Sequence, residues 1–191
     1  MRTAVFFERD GILNHAPADR LRISPPTLEQ FRINQAAIRL LSILKKAGFL
    51  LIATTNQPGL SRGYQSRREL DLMHAALLRK LALDDIFVCP HDEMDQCPCR
   101  KPKPGLLIEA AFKWHLDLEH SFVVSEKWQD AKAAHVAGCR SILIRSPLNG
   151  SDHHDFVSPN LFSVVRRILR LCADSPAPRS SRKTKLAADR D

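Results

Sequence analysis

Apolar residues along this chain fall into two kinds of block: short continuous runs, and longer stretches in which they recur every three or four positions. The runs at Thr3–Phe7, Phe49–Thr54, Ile86–Val88, Ser121–Val124 and Ser141–Ile144 are strand-sized, and unbroken apolarity is what a strand covered on both faces shows. Between them, Ile38, Leu41 and Leu44 mark a helix over Asn34–Ala47 that Gly48 ends, and Leu70, Met73, Leu77 and Leu81 mark a second over Ser66–Leu81. Pro104, well tolerated in a first turn, opens a third that runs to Trp114, and Gln129–Ala137 and Asn160–Cys172 are the fourth and fifth. Strand and helix alternating about five times predict an α/β fold with a doubly wound parallel sheet. Ligands of such sheets sit beyond the carboxyl ends of the strands, so chemistry is sought in the residues that follow each run. From Ala173 the chain turns rich in Pro, Ser, Lys and Arg. The expected organisation is one domain over 1–172 and a basic disordered tail over 173–191.

A chain of 191 residues with 44% apolar and 26% charged residues is long enough for a core of its own, with no need of disulfides or a structural metal merely to fold. No apolar run approaches the ~18 residues of a membrane span. Met1-Arg2-Thr3 and the short run after it lack the long apolar segment of a secretory leader, so a cytoplasmic protein with no membrane partner is expected. The net charge is +8, but Arg179–Asp191 holds five cations and two anions, which leaves +5 on the rest. That balance suits an anionic small substrate as well as nucleic acid. With two tryptophans and one tyrosine for base stacking, nucleic acid is set aside. Five cysteines is an odd number; Cys139 and Cys172 have apolar neighbours and are expected to be buried and inert.

Four polar clusters follow four of the strands. Glu8-Arg9-Asp10-Gly11 places two carboxylates at i and i+2, able to share a magnesium ion or to form a solvated turn. Thr54-Thr55-Asn56-Gln57-Pro58-Gly59 offers hydroxyl and amide donors to phosphate oxygens. Cys89, His91, Cys97 and Cys99 put four soft ligands within eleven residues, which suits a tetrahedral zinc that staples a loop, and Arg100-Lys101-Pro102-Lys103-Pro104 follows directly. Ser125-Glu126-Lys127-Trp128-Gln129-Asp130 adds a third and a fourth carboxylate for the magnesium and a lysine for the substrate. Magnesium, phosphate-binding donors and cations on one rim describe a phosphoryl-transfer site.

The order V-F-F-E-R-D-G-I-L-N, T-N-Q-P-G-L-S-R-G, C-P-H-D-E-M-D-Q-C-P-C-R-K-P-K-P-G and V-V-S-E-K-W-Q-D resembles the haloacid dehalogenase superfamily of phosphotransferases over Thr3 to Ile144. Within it, the zinc-loop segment is similar to the small, capless branch of D-glycero-D-manno-heptose 1,7-bisphosphate 7-phosphatases and histidinol-phosphate phosphatases; the second string and the P-K-P-G continuation favour the heptose enzymes. The resemblance implies an acidic nucleophile at position 8 that forms an acyl-phosphate, and Asp10 as the acid and base. Thr55 and Lys101 would neutralise phosphoryl oxygens, Asn56, Gln57, Arg100 and Lys127 would contact substrate, and Glu126 would join Glu8 and Asp10 on magnesium. Zinc on Cys89, His91, Cys97 and Cys99 would be structural, since four protein ligands leave no open position. A phosphorylated small molecule as partner and a monomer are implied as well.

Four positions depart from that pattern. Glu8 stands where the family has aspartate, Ser125-Glu126 where it has Gly-Asp, and Ile12 where threonine or valine is usual. The family's substrate loop is replaced by His15-Ala16-Pro17-Ala18-Asp19-Arg20, so specificity is expected from Arg100, the zinc loop and residues 15–24. An added methylene moves a carboxylate by about 1.5 Å, and a 1 Å misplacement can cost about a hundredfold in rate. The expectation is a magnesium-dependent sugar phosphatase slowed by Glu8, set against a silent relative that binds a phosphorylated ligand or a partner protein.

Overall fold

The computed structural model describes residues 1–16, 24–150 and 153–173. Among the described residues, six strands form one parallel sheet: β1 (Ala4–Glu8), β2 (Leu50–Asn56), β3 (Asp85–Cys89), β4 (Phe122–Ser125), β5 (Arg140–Ile144) and β6 (Phe156–Ser158). Five α-helices of the described residues alternate with them: α1 (Gln35–Lys46), α2 (Arg67–Lys80), α3 (Gly105–Trp114), α4 (Trp128–Ala137) and α5 (Leu161–Ala173). The strand order is β3-β2-β1-β4-β5-β6, so the chain winds outward one way and then restarts on the other side of β1. The crevice between β1 and β4 is the switch point at which such sheets take ligands.

Side chains of β1 alternate between two apolar layers. Val5 and Phe7 pack with Leu41 and Leu44 of α1, Met73 and Leu77 of α2, and Val164 and Ile168 of α5. Ala4 and Phe6 pack with Leu106, Leu107 and Ala110 of α3 and Ala133 and Ala134 of α4. Coverage on both faces explains the unbroken apolar runs. Ser66 caps α2 by accepting from the Glu69 N–H, Asn34 caps α1 by accepting from Ala36, and Gly48 follows α1 with φ 94°.

Strand β6 is a sixth, unforeseen element. Three residues are too few to show a period, and it is held as an edge strand by pairing Ile142 with Phe156 and Ile144 with Ser158. Strands β1 and β2 run further than the apolar pattern, through Glu8 and Asn56, so several candidate residues are strand ends and not loop residues. Pro104 sits just before the first residue of α3. Cys139 is buried as expected, but Cys172 is exposed, because it lies a turn beyond Ile168, the last buried residue of α5. Of the expected tail (173–191), Ala173 is instead the last residue of α5; the rest of the tail, and most of the expected specificity loop (17–23), lie outside the described residues. No helix among the described residues is long and apolar enough to cross a membrane.

Candidate active site

Parallel pairing brings four strand ends to one rim: Glu8 lies beside Thr54, Thr55 beside Val88, and Ser125 closes β4. Glu8 is 2% exposed. Its Oε2 accepts from Lys101 Nζ, and its Oε1 accepts from the Asp10 N–H (3.2 Å) and the Thr55 hydroxyl (3.3 Å), with Lys127 Nζ at 3.7 Å. Burial alone pushes the Glu8 pKa up, but Lys101 and then Lys127 outweigh it and hold the group below the usual range. Glu8 is therefore ionised at neutral pH.

Lys101 is 5% exposed and is shared between two carboxylates. Its Nζ also donates to Asp130 Oδ1 (2.6 Å) and the Thr54 carbonyl (3.1 Å). Burial would lower its pKa, yet Asp130 and Glu8 hold it above the usual lysine value. Asn56 fixes this lysine's backbone, accepting from the Lys101 N–H (3.2 Å) and donating to its carbonyl (3.1 Å). Asp130, the fourth carboxylate expected at the magnesium site, faces Lys101 and accepts from Ser125 Oγ (3.0 Å) on the first turn of α4.

Asp10 has both oxygens filled. Arg9 donates three times (3.0–3.2 Å), Asn14 Nδ2 once to Oδ1 (2.9 Å), and Ser24 Oγ (2.6 Å) and Gln57 Nε2 (2.8 Å) to Oδ2. Burial opposes ionisation, but Arg9 foremost brings the Asp10 pKa down to about 2. Arg9 itself is fully buried; its remaining Nη1 faces His74 Nε2 at 3.2 Å. Since arginine only donates, His74 accepts there as a neutral ring. Burial first, then Arg9, lowers the His74 pKa to about 4.

A cavity of about 100 Å³ opens at this rim, lined by Glu8, Asn56, Pro58, Arg100, Lys101, Lys127, Gln129 and Asp130. Six of the proposed site residues thus meet at it or donate into it: Glu8, Thr55, Asn56, Arg100, Lys101 and Lys127. Asp10 and Gln57 do not line it. Gln57 is fully buried, its amide donating to Asp10, Ser24 and Thr55. Glu126 packs against Gly11, with no hydrogen-bond or ion-pair partner for its carboxylate among the described residues. Burial leads in raising its pKa, with Glu8 adding to it. Glu8, Asp10 and Glu126 do not converge as one ligand cluster. Hard oxygen donors from Glu8 and the unpartnered Glu126 nevertheless fit magnesium, which takes one or two carboxylates and completes its shell with water or phosphate.

The cysteines and histidine do converge. Neighbouring pairs lie at 3.6 Å (Cys89 and Cys97 Sγ), 3.4 Å (Cys97 and Cys99 Sγ), 3.3 Å (His91 Nδ1 and Cys99 Sγ) and 3.7 Å (Cys89 Sγ and His91 Nδ1). All four ligand atoms fall within 4.8 Å of one another. A tetrahedron with Zn–S of about 2.3 Å has edges of about 3.7 Å, so this donor set fits zinc. The loop is braced by Arg62 on both oxygens of Asp92 (2.6 Å each) and by Lys103 Nζ on the carbonyls of Gln96 and Cys97 (2.7 and 2.9 Å). Gly105 lets it fold back on α3, since a Cβ there would lie 2.8 Å from Cys99 Cα. Rigid anchoring of the loop sets Arg100 and Lys101 at the rim.

Sequence reading missed Arg9, Asn14, Ser24 and His74. Arg9 carried the one available sign, a permanent charge on the end of an apolar strand; Ser24 and His74 carry none.

The HAD-hydrolase-like family model matches residues 98–168. The D-glycero-β-D-manno-heptose-1,7-bisphosphate 7-phosphatase of Helicobacter pylori is 35% identical over 153 residues, covering 76% of this chain and 85% of its own. The histidine biosynthesis bifunctional protein HisB of Campylobacter jejuni is 35% identical over 143 residues, 72% of this chain and 40% of its own. The crystal structure of D,D-heptose 1,7-bisphosphate phosphatase from B. bronchiseptica, complexed with magnesium and phosphate, matches with a TM-score of 0.77 and 26% identity, over 90% of this chain and 99% of that one.

Proposed function

Since the chain belongs to the haloacid dehalogenase-like hydrolases, we propose that it is a magnesium-dependent phosphatase of a sugar phosphate, with D-glycero-D-manno-heptose 1,7-bisphosphate as the substrate. The observation that carries this is the ionised, buried Glu8 beside Lys101, Thr55 and Lys127 on a cavity of about 100 Å³.

In this reading a Glu8 oxygen attacks phosphorus, the P–O bond to the sugar breaks, and a glutamyl-phosphate forms. The leaving oxygen takes a proton from the Asp10 carboxyl, and Asp10 then removes one from the water that releases phosphate. Lys101, Lys127 and Thr55, which contact Glu8, are the donors that the phosphoryl oxygens meet. Arg100 at the cavity mouth takes the substrate's second anionic group. Glu8 and Glu126 would hold the magnesium, which supplies charge neutralisation on the phosphoryl oxygens when bound. Zinc on Cys89, His91, Cys97 and Cys99 would hold the loop's shape. A cytoplasmic monomer is the form this reading expects.

Asp10 favours a second reading. Its oxygens are filled by Arg9, Asn14, Ser24 and Gln57 and its pKa is about 2, so it must release donors to serve as an acid. A chain in which it does not, with carboxylates one methylene long at 8 and 126, binds phosphate esters without cleaving them. Phosphate release from a panel of sugar phosphates, histidinol phosphate included, separates the two. Magnesium-dependent release from the heptose bisphosphate supports the enzyme; ligand-induced thermal stabilisation with no release at high protein concentration refutes it.

A further inference from the structure

A second anion-seeking feature lies at the far edge of the sheet. A cleft of about 350 Å³ runs between the end of β6 and one face of α5, lined by Ser158, Pro159, Ser163, Arg166, Arg167 and Arg170. It is three strands from Glu8 in the order β1-β4-β5-β6, roughly 14 Å at the usual strand spacing. No carboxylate lines it, and α5 contains no acidic residue.

None of the three arginines has an ion-pair partner among the described residues. Arg166 and Arg170 stand one turn apart, as do Arg167 and Arg170, spacings at which like charges repel. Two guanidiniums lie over aromatic rings, Arg167 at 4.8 Å from the Phe156 centroid and Arg166 at 5.8 Å from that of Phe162, contacts that leave N–H groups for a ligand. Ser158, which also lines the cleft, is 1% exposed, and its Oγ has no hydrogen-bond partner among the described residues. Buried hydroxyls are ordinarily satisfied, so an acceptor is missing where the arginines need an anion.

We infer that this cleft is a second binding site, separate from the rim around Glu8, for a small phosphate ester held by Arg166, Arg167 and Arg170 with the Ser158 hydroxyl. Forked guanidiniums take phosphate oxygens in pairs, and the cleft stands at the low end of the ~300–1,000 Å³ range of small-molecule pockets.

Equilibrium dialysis of the full chain with radiolabelled orthophosphate tests it, with glycerol 3-phosphate as competitor. Arg166→Gln/Arg170→Gln should weaken one class of bound phosphate at least tenfold with an unchanged melting temperature, and Ser158→Ala should weaken the same class. Arg100→Ala/Lys127→Ala reports on the Glu8 rim alone: should that variant bind as the wild type does, the active-site reading fails while the arginine site stands. Two classes of bound phosphate that both survive the double arginine replacement unchanged, or failure of glycerol 3-phosphate to displace the class that this replacement should weaken, overturns the proposal.

Discussion

The Glu126 carboxylate occupies the space a side chain would need at Gly11: a Cβ built there meets Oε1 and lies 2.9 Å from Cδ. Gly11 also has φ 99°, a conformation that costs other residues roughly 1–2 kcal/mol. Gly11→Ala should therefore lower stability by about that amount and push the carboxylate aside. Thermal melts with and without magnesium chloride check both effects: the wild type gains stability on adding magnesium, and the variant loses most of that gain. An unchanged gain would mean that Glu126 does not hold the ion.

Among the described residues, Lys101 is the single ammonium that both Glu8 and Asp130 contact. In Lys101→Met two buried carboxylates lose that partner, and breaking a buried pair costs about 3–5 kcal/mol. The loss should be largest near neutral pH and shrink in acid, where protonating the carboxylates removes the uncompensated charge. Urea unfolding at pH 7 and pH 5 measures it; equal destabilisation at both would point to packing alone.

The zinc assignment predicts one equivalent of zinc in the purified protein by atomic emission. Cys97→Ser or Cys99→Ser should lose the metal and melt at a lower temperature, and phosphate affinity should fall as Arg100 and Lys101 lose their mounting. Cys172→Ser, at an exposed cysteine outside the cluster, should change none of these.

His74 couples α2 to Asp10 through Arg9. Its pKa falls from the ordinary 6.5 to about 4 on folding. Between those values the unfolded chain binds more protons, so stability falls as pH drops from about 6.5 towards 4. Urea midpoints should register about 2 kcal/mol between pH 7 and pH 4.5 from this residue. His74→Gln, which can still accept from Arg9, should flatten that slope; a profile identical to wild type would assign the slope elsewhere.

Five of the six strands and all five helices were readable because their faces obey simple periods: β1 reads as unbroken apolarity and α2 as Leu70, Met73 and Leu77. Strand β6 was not, since a three-residue edge strand is defined by its pairing with β5 and not by its own sequence. Rim residues Glu8, Thr55 and Lys101 were readable from local motifs, and the zinc quartet from ligand spacing. What stayed hidden is the layer behind them. Ser24 reaches Asp10 across 14 residues and His74 reaches Arg9 across 65; such contacts exist only once the sheet has brought distant segments together. The inward turn of Gln57 was hidden for the same reason.

The most direct measurement is single-turnover phosphate release from D-glycero-D-manno-heptose 1,7-bisphosphate with magnesium, comparing wild type, Glu8→Asp and Glu8→Gln. If Glu8 is the nucleophile, the wild type releases phosphate only with magnesium, Glu8→Gln releases none, and Glu8→Asp retains or exceeds the wild-type rate. Silence from the wild type with release from Glu8→Asp would contradict the account and leave a protein that binds phosphate esters intact.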